Sequence, residues 1–181
     1  MTTVHEETVS SRTAFEGRLL RLEVQEVVNA RGVRARREIV RHPGAVAVLA
    51  ATPDGTLVLV RQFRKPVERV MLEVVAGLRE PGESAEACAR REVLEETGCK
   101  VLRLEAAGAV YPSPGYVDER IDVFFARVEP EHQAPCPDED EDLEVVLLSR
   151  DAFERQLARG DVLDGKTLAA WALCAGKVRH D

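Results

Sequence analysis

No run of apolar residues in this 181-residue chain approaches the roughly 18 that a membrane-spanning helix needs. The first ten residues are polar and acidic, without the basic start and apolar stretch of a secretory leader. These absences predict a cytoplasmic protein with no membrane partner. Cysteine is scarce. Cys88, Cys99, Cys136 and Cys174 are not closely paired and have no nearby Cys or His at zinc spacing, so reduced structural thiols are expected. Basic charge is in deficit, with 25 Lys and Arg against 32 Asp and Glu and a formal net charge of −7, which argues against nucleic-acid binding by phosphate neutralisation. Aromatics are only 4% of the residues, few for stacking on a ligand once the core is served. An anionic substrate would need local help from bound metal or a few placed arginines.

What is present is a globular composition, 45% apolar and spread along the chain, of a size for one main domain. Residues 18–28 and 33–41 flank Asn29-Ala30-Arg31-Gly32 and predict an N-terminal antiparallel β-hairpin. Such a ribbon is marginal alone, which divides the chain into an N-terminal β segment, 1–42, and a main domain, 43–181. Residues 45–50 and 56–62 form a second hairpin around Pro53-Asp54-Gly55. Strands follow at 70–75, 101–111, 120–128 and 143–149. Helices are predicted at 84–97, stopped by Gly98, at 150–159, stopped by Gly160, and at 164–175 with Asp164 as N-cap. Strands and helices mix without regular alternation, so the class is α+β, an α/β/α sandwich with a mixed sheet rather than a doubly wound one.

The residues with chemistry to offer lie at 77–99. Gly77 and Pro81-Gly82 permit a tight reversal from the preceding strand into the helix that starts near Ser84. At about 100° per residue, Glu92 and Glu96 share one stripe of that helix with Ala85, Cys88 and Ala89, and Glu95 stands beside them. Small apolar neighbours imply that these acids face protein, where a carboxylate cluster is costly unless cations compensate it. Hard oxygen ligands suit Mg²⁺ or Mn²⁺. Arg91 stands where it could pair with Glu83 across the loop and hold Glu92 and Glu96.

The segment resembles the Nudix box, G-x5-E-x7-R-E-U-x-E-E-x-G-U with U apolar, at Gly77, Glu83, Arg91, Glu92, Glu95, Glu96 and Gly98, with Val93 and Cys99 in the apolar slots. The resemblance implies a Nudix fold and a Mg²⁺- or Mn²⁺-dependent pyrophosphohydrolase. In it Glu92 and Glu96 would be the principal metal ligands, Glu95 a further or water-mediated one, and the Ala76 carbonyl another. Arg91 would orient the acids. Four other segments are similar to the ADP-ribose pyrophosphatase branch: Arg41-His42-Pro43-Gly44-Ala45, Arg61-Gln62-Phe63-Arg64, Tyr111-Pro112-Ser113-Pro114-Gly115 and Asp138-Glu139-Asp140-Glu141. By that likeness Arg41, Arg61, Arg64, Tyr111 and Pro114 would bind substrate. Glu139 would be the base that activates water and Glu141 an extra metal ligand, two acids close enough to exchange roles. One departure is Val74-Val75-Ala76-Gly77, where many relatives have Leu-Pro-Ala-Gly.

The expected reaction is hydrolysis of ADP-ribose to AMP and ribose 5-phosphate. The alternatives are another sugar nucleotide, NADH or a dinucleoside polyphosphate as substrate, or a non-catalytic nucleotide sensor. The branch also implies a homodimer joined through the N-terminal strands.

Overall fold

The computed structural model describes residues 4–129, 133–136 and 142–178. The chain divides into two compact units, Met1–Pro43 with Tyr111–Arg120, and Gly44–Val110 with Ile121–Asp181. The first unit is a three-stranded antiparallel sheet of β1 (Glu6–Glu16), β2 (Arg21–Asn29) and β3 (Arg34–Arg41), in that order. The expected hairpin is β2–β3. Asn29 closes its turn, its side chain accepting from the N–H groups of Arg31 and Val33 at 2.9 and 3.1 Å. A third strand, β1, lies outside it and is exposed along its whole length. Its residues are polar on both faces, so the alternation that marks a half-buried strand is missing, although backbone pairing to β2 is satisfied. In the same unit β3 is joined to the 111–120 segment, where the Val40 N–H donates to the Tyr116 carbonyl at 2.8 Å.

The second unit is a mixed sheet covered on both faces. Its strands are β4 (Ala45–Ala51), β5 (Leu57–Arg64), β6 (Arg69–Glu73), β7 (Val75–Leu78), β8 (Lys100–Val110), β9 (Ile121–Glu129) and β10 (Leu143–Leu148). The order is β10-β5-β4-β9-β8, with β6 on β5 and β7 on β4. Among the described residues of this sheet, only the central pair β4–β9 is parallel. β4 is buried at every position, as expected of a strand covered on both faces. Ala45, Ala47, Leu49 and Ala51 enter one core with α2 (Arg150–Arg159) and α3 (Gly165–Cys174) through Phe153, Ala170 and Cys174. Val46, Val48 and Ala50 enter the other with α1 (Ala85–Thr97) through Cys88, Ala89 and Val93. This is the α/β/α sandwich anticipated from the sequence. Among the described residues no helix is long and apolar enough to cross a membrane.

The helix ends follow local chemistry. Ser84, Ser149 and Asp164 cap α1, α2 and α3 by accepting from the backbone N–H groups of Ala87, Ala152 and Thr167. Gly98 ends α1 at φ 68°, a left-handed conformation in which its N–H reaches the Leu94 carbonyl at 2.8 Å. The strand expected at 70–75 is longer and changes neighbour partway. β6 pairs with β5 up to Glu73, and β7 pairs with β4 from Val75. Val74 sits at the change, and its N–H donates to the Thr167 hydroxyl at 2.9 Å. That bond satisfies a buried backbone donor at the switch and ties α3 to it.

Phe153 is fully buried and meets Trp171 with ring centroids 4.9 Å apart. Phe153→Ala is expected to lower unfolding free energy by about 3–5 kcal/mol, read from the urea midpoint; a loss below about 1 kcal/mol would refute its place in the core.

Candidate active site

The loop from Gly77 to Ser84 lies under the first turns of α1, and Arg91 binds the two together. Its Nε and Nη2 donate to Glu83 Oε1 and Oε2, both at 3.0 Å, a bidentate pair. Nη2 also donates to the Leu78 carbonyl at 3.1 Å. Nη1 donates to Glu92 Oε1 at 2.7 Å and to Glu95 Oε2 at 2.9 Å. Arg91 therefore pairs with Glu83 as anticipated, and the acids it takes on the helix are Glu92 and Glu95. Its hydrogen bond to Glu83 does most to raise its own pKa. In return the guanidinium pulls the Glu83 carboxyl down to about 2, and the Glu80 N–H adds to the effect at 3.1 Å.

Glu92 and Glu96 are buried, on the stripe that also buries Cys88, Ala89 and Val93. Glu95 is more open, its side chain 43% exposed. Burial, with the fields of Glu83 and Glu92, pushes the Cys88 thiol up to about 12, so it stays protonated and donates to the Leu78 carbonyl at 3.3 Å. Gly77 makes room for a close approach. A Cβ there would stand 1.9 Å from Glu92 Cδ, so the carboxylate lies directly against the backbone of β7.

Arg91 bonds directly to Glu83, Glu92 and Glu95, and Glu96 is buried on the same stripe of α1, so four carboxylates bring hard oxygen donors together. Donor type, charge and the cradle at Gly77 fit a divalent cation. Among the described residues no three acid, imidazole or thiol side chains already stand in a coordinating group. Arg91 draws Glu92 and Glu95 to itself, so coordination would require side-chain rotation.

Arg64 ends β5, and its Nε and Nη2 donate to Glu73 Oε1 and Oε2 at 2.9 and 2.7 Å. The Arg64 pKa is raised chiefly by that hydrogen bond, and the charges of Asp164 and Glu96 also reach it. Glu73 is almost wholly buried. Burial raises its pKa, and Arg64 and Lys166 together more than offset this, so its carboxyl stays below its ordinary range. Glu73 and Lys166 are not among the site residues expected from the sequence. A lone carboxylate inside the apolar run 70–75 was the available signal.

The other expected substrate residues are divided between the two units. Arg61 pairs with Glu144 at 3.3 Å on an exposed surface. Arg41, in the first unit, is engaged by Glu23 at 2.9 Å and Asp118 at 2.9 Å. Tyr111 and Pro114, also there, are exposed. Glu139 and Glu141 lie outside the described residues.

This fold, with a box of acids on the helix that follows a glycine loop, matches a known family. The NUDIX domain model matches residues 40–171, and the chain belongs to that family. It is a Nudix pyrophosphohydrolase, and members of the family generally use divalent metal ions. The chain is 40% identical to the ADP-ribose pyrophosphatase of Bacillus subtilis (strain 168), over 94% of this chain and 92% of that protein. It is 37% identical to the methanol dehydrogenase activator of Bacillus methanolicus, over 91% and 90%. With the GDP-mannose pyrophosphatase of Yersinia enterocolitica it shares 36% identity over 77% and 78%. The fold is that of an ADP compounds hydrolase crystal structure, with a TM-score of 0.82 at 24% identity, covering 96% of this chain and 94% of the other.

Because the Glu83 carboxyl lies near 2 against an ordinary 4.5, its pairing stabilises the fold fully above about pH 4.5 and is lost as pH falls towards 2. Urea unfolding across that window should fall more steeply with acidification for the parent than for Glu83→Gln. Parallel curves would refute the pairing.

Proposed function

We propose that the protein hydrolyses the pyrophosphate bond of ADP-ribose, giving AMP and ribose 5-phosphate, with a divalent metal, Mg²⁺ or Mn²⁺. The observation that carries the substrate is the nearly full-length likeness to a protein named an ADP-ribose pyrophosphatase. The acids on α1 support the chemistry. When bound, the metal would neutralise non-bridging phosphate oxygens and lower the pKa of water. Glu92 and Glu96 would hold it, with Glu95 and the Ala76 carbonyl as further ligands. Arg91, bonded to Glu83, Glu92 and Glu95, keeps those acids from splaying apart.

Water attacks one phosphorus of the diphosphate as the bridging P–O bond breaks, and the water's proton passes to a base. Glu139 is assigned as that base and Glu141 as an extra metal ligand, on the family resemblance. Arg64 would receive the diphosphate, a role supported by its charge being within reach of Glu96. The resemblance assigns substrate contacts to Arg41, Arg61, Tyr111 and Pro114 as well. A second reading, GDP-mannose as substrate, is favoured by relatives so named at 36% and 38% identity. The reading also assigns residues 1–42 to dimer formation and 43–181 to catalysis, in a cytoplasmic homodimer. The exposed edge strand β1 supports that division, because it offers free backbone pairing to a second copy.

With Mg²⁺ and ADP-ribose the protein should release AMP, and Glu92→Gln should lower kcat by about 10²-fold or more with the circular dichroism unchanged. Turnover of GDP-mannose but not ADP-ribose would overturn the substrate. Near-normal activity of Glu92→Gln would overturn the metal assignment. Sedimentation should give twice the chain mass; a monomer at micromolar concentration would refute the dimer.

A further inference from the structure

Glu73 is the buried centre of a closed ring of interactions. Its carboxylate takes the Nε/Nη2 edge of Arg64 and also the Lys166 ammonium. Lys166 reaches Asp164 at 3.1 Å. Asp164 accepts from the Thr167 N–H at 2.9 Å and from its hydroxyl at 2.6 Å, and that hydroxyl accepts from the N–H of Val74, next to Glu73. Two strands and the first turn of α3 are thereby locked around one carboxylate.

Stability alone does not account for it. A buried ion group costs several kcal/mol in desolvation, and apolar side chains of similar volume commonly stabilise as well or better. The ring does determine where the Arg64 guanidinium points. One edge is taken by Glu73, and among the described residues the guanidinium donates to nothing else. Its second edge, Nη1 with the remaining N–H of Nη2, is left for another planar pair of oxygens. The side chain is 38% exposed, so a ligand can reach it, and the Glu96 charge is felt there. Lys166 has a separate effect. It bonds the same carboxylate from α3 and so holds that acid in place behind Arg64.

We propose that Glu73 and Lys166 are positioning residues, which fix the Arg64 guanidinium in orientation so that its second edge binds a substrate diphosphate. This rests on the reading of Arg64 as a diphosphate contact given above. The ordering entropy of a long side chain is then met in the fold rather than on binding.

The test uses the full-length protein with Glu73→Gln, Lys166→Met, Arg64→Ala and the doubles Glu73→Gln/Arg64→Ala and Lys166→Met/Arg64→Ala. Calorimetric titration with ADP and Mg²⁺ reads diphosphate affinity without turnover, and steady-state kinetics on ADP-ribose read KM and kcat separately. Glu73→Gln and Lys166→Met should each weaken ADP about tenfold and raise KM more than they lower kcat. In the Arg64→Ala background neither should cost more than about twofold further. A residue that only supports the fold would lower Tm and leave a similar loss in both backgrounds. If Glu73→Gln does not fold, the Lys166→Met comparison decides. ADP affinity at the parent value in the single variants, or an undiminished loss in the doubles, overturns the proposal. Failure of the parent to cleave ADP-ribose would remove the substrate reading, and the ADP titrations would still decide the clamp.

Discussion

Arg91 stands between a loop and a helix and bonds to both at once. With Glu83 and the Leu78 carbonyl on one side and Glu92 and Glu95 on the other, a single guanidinium sets the distance between the glycine turn and the acid stripe of α1. Like charges on one helix face repel, and their burial costs desolvation, so the acids need both a permanent cation and room for another. Arg91 provides the first and cannot neutralise them all. Their hard oxygen donors are what suit the site to a divalent ion, and the absence of a side chain at Gly77 is what lets Glu92 lie against the strand.

The sheet carries this arrangement because β4 is made of small and branched residues buried on both sides. Helices can approach each face, α1 with its acids on one and α2 with α3 on the other. The chain from Arg69 to Leu78 changes partner at Val74, from β5 to β4, and so delivers Glu73 to Arg64 and Gly77 to Glu92 within a few residues. Chemistry on the α1 side and support from α3 meet along this short stretch. The Thr167 hydroxyl at the switch makes the crossing tolerable for the buried backbone.

Much of this is legible in the sequence. Ser84, Gly98, Gly160 and Asp164 mark helix ends through bonds to residues at most a turn away, so their signal is local. The stripe of Glu92, Glu96, Cys88 and Ala89 follows from helical period alone. β1 was not legible, because its register is set by β2 and its side chains carry no burial pattern. Nor was the division of the strand expected at 70–75, since a change of neighbour leaves no mark on apolar alternation.

The sequence by itself determined the box: acids one turn apart, an arginine within reach and a glycine loop before them, all within a span that one loop and one helix hold in register. The partners of Arg64 were decided only by tertiary structure. Glu73 lies 9 residues from it, across a strand pair, and Lys166 lies 93 residues from Glu73, on another helix. Local periodicity carries no information over such separations. Which charges meet there depends on strand register and on where a capped helix docks, and these are settled by the packing of the whole sheet.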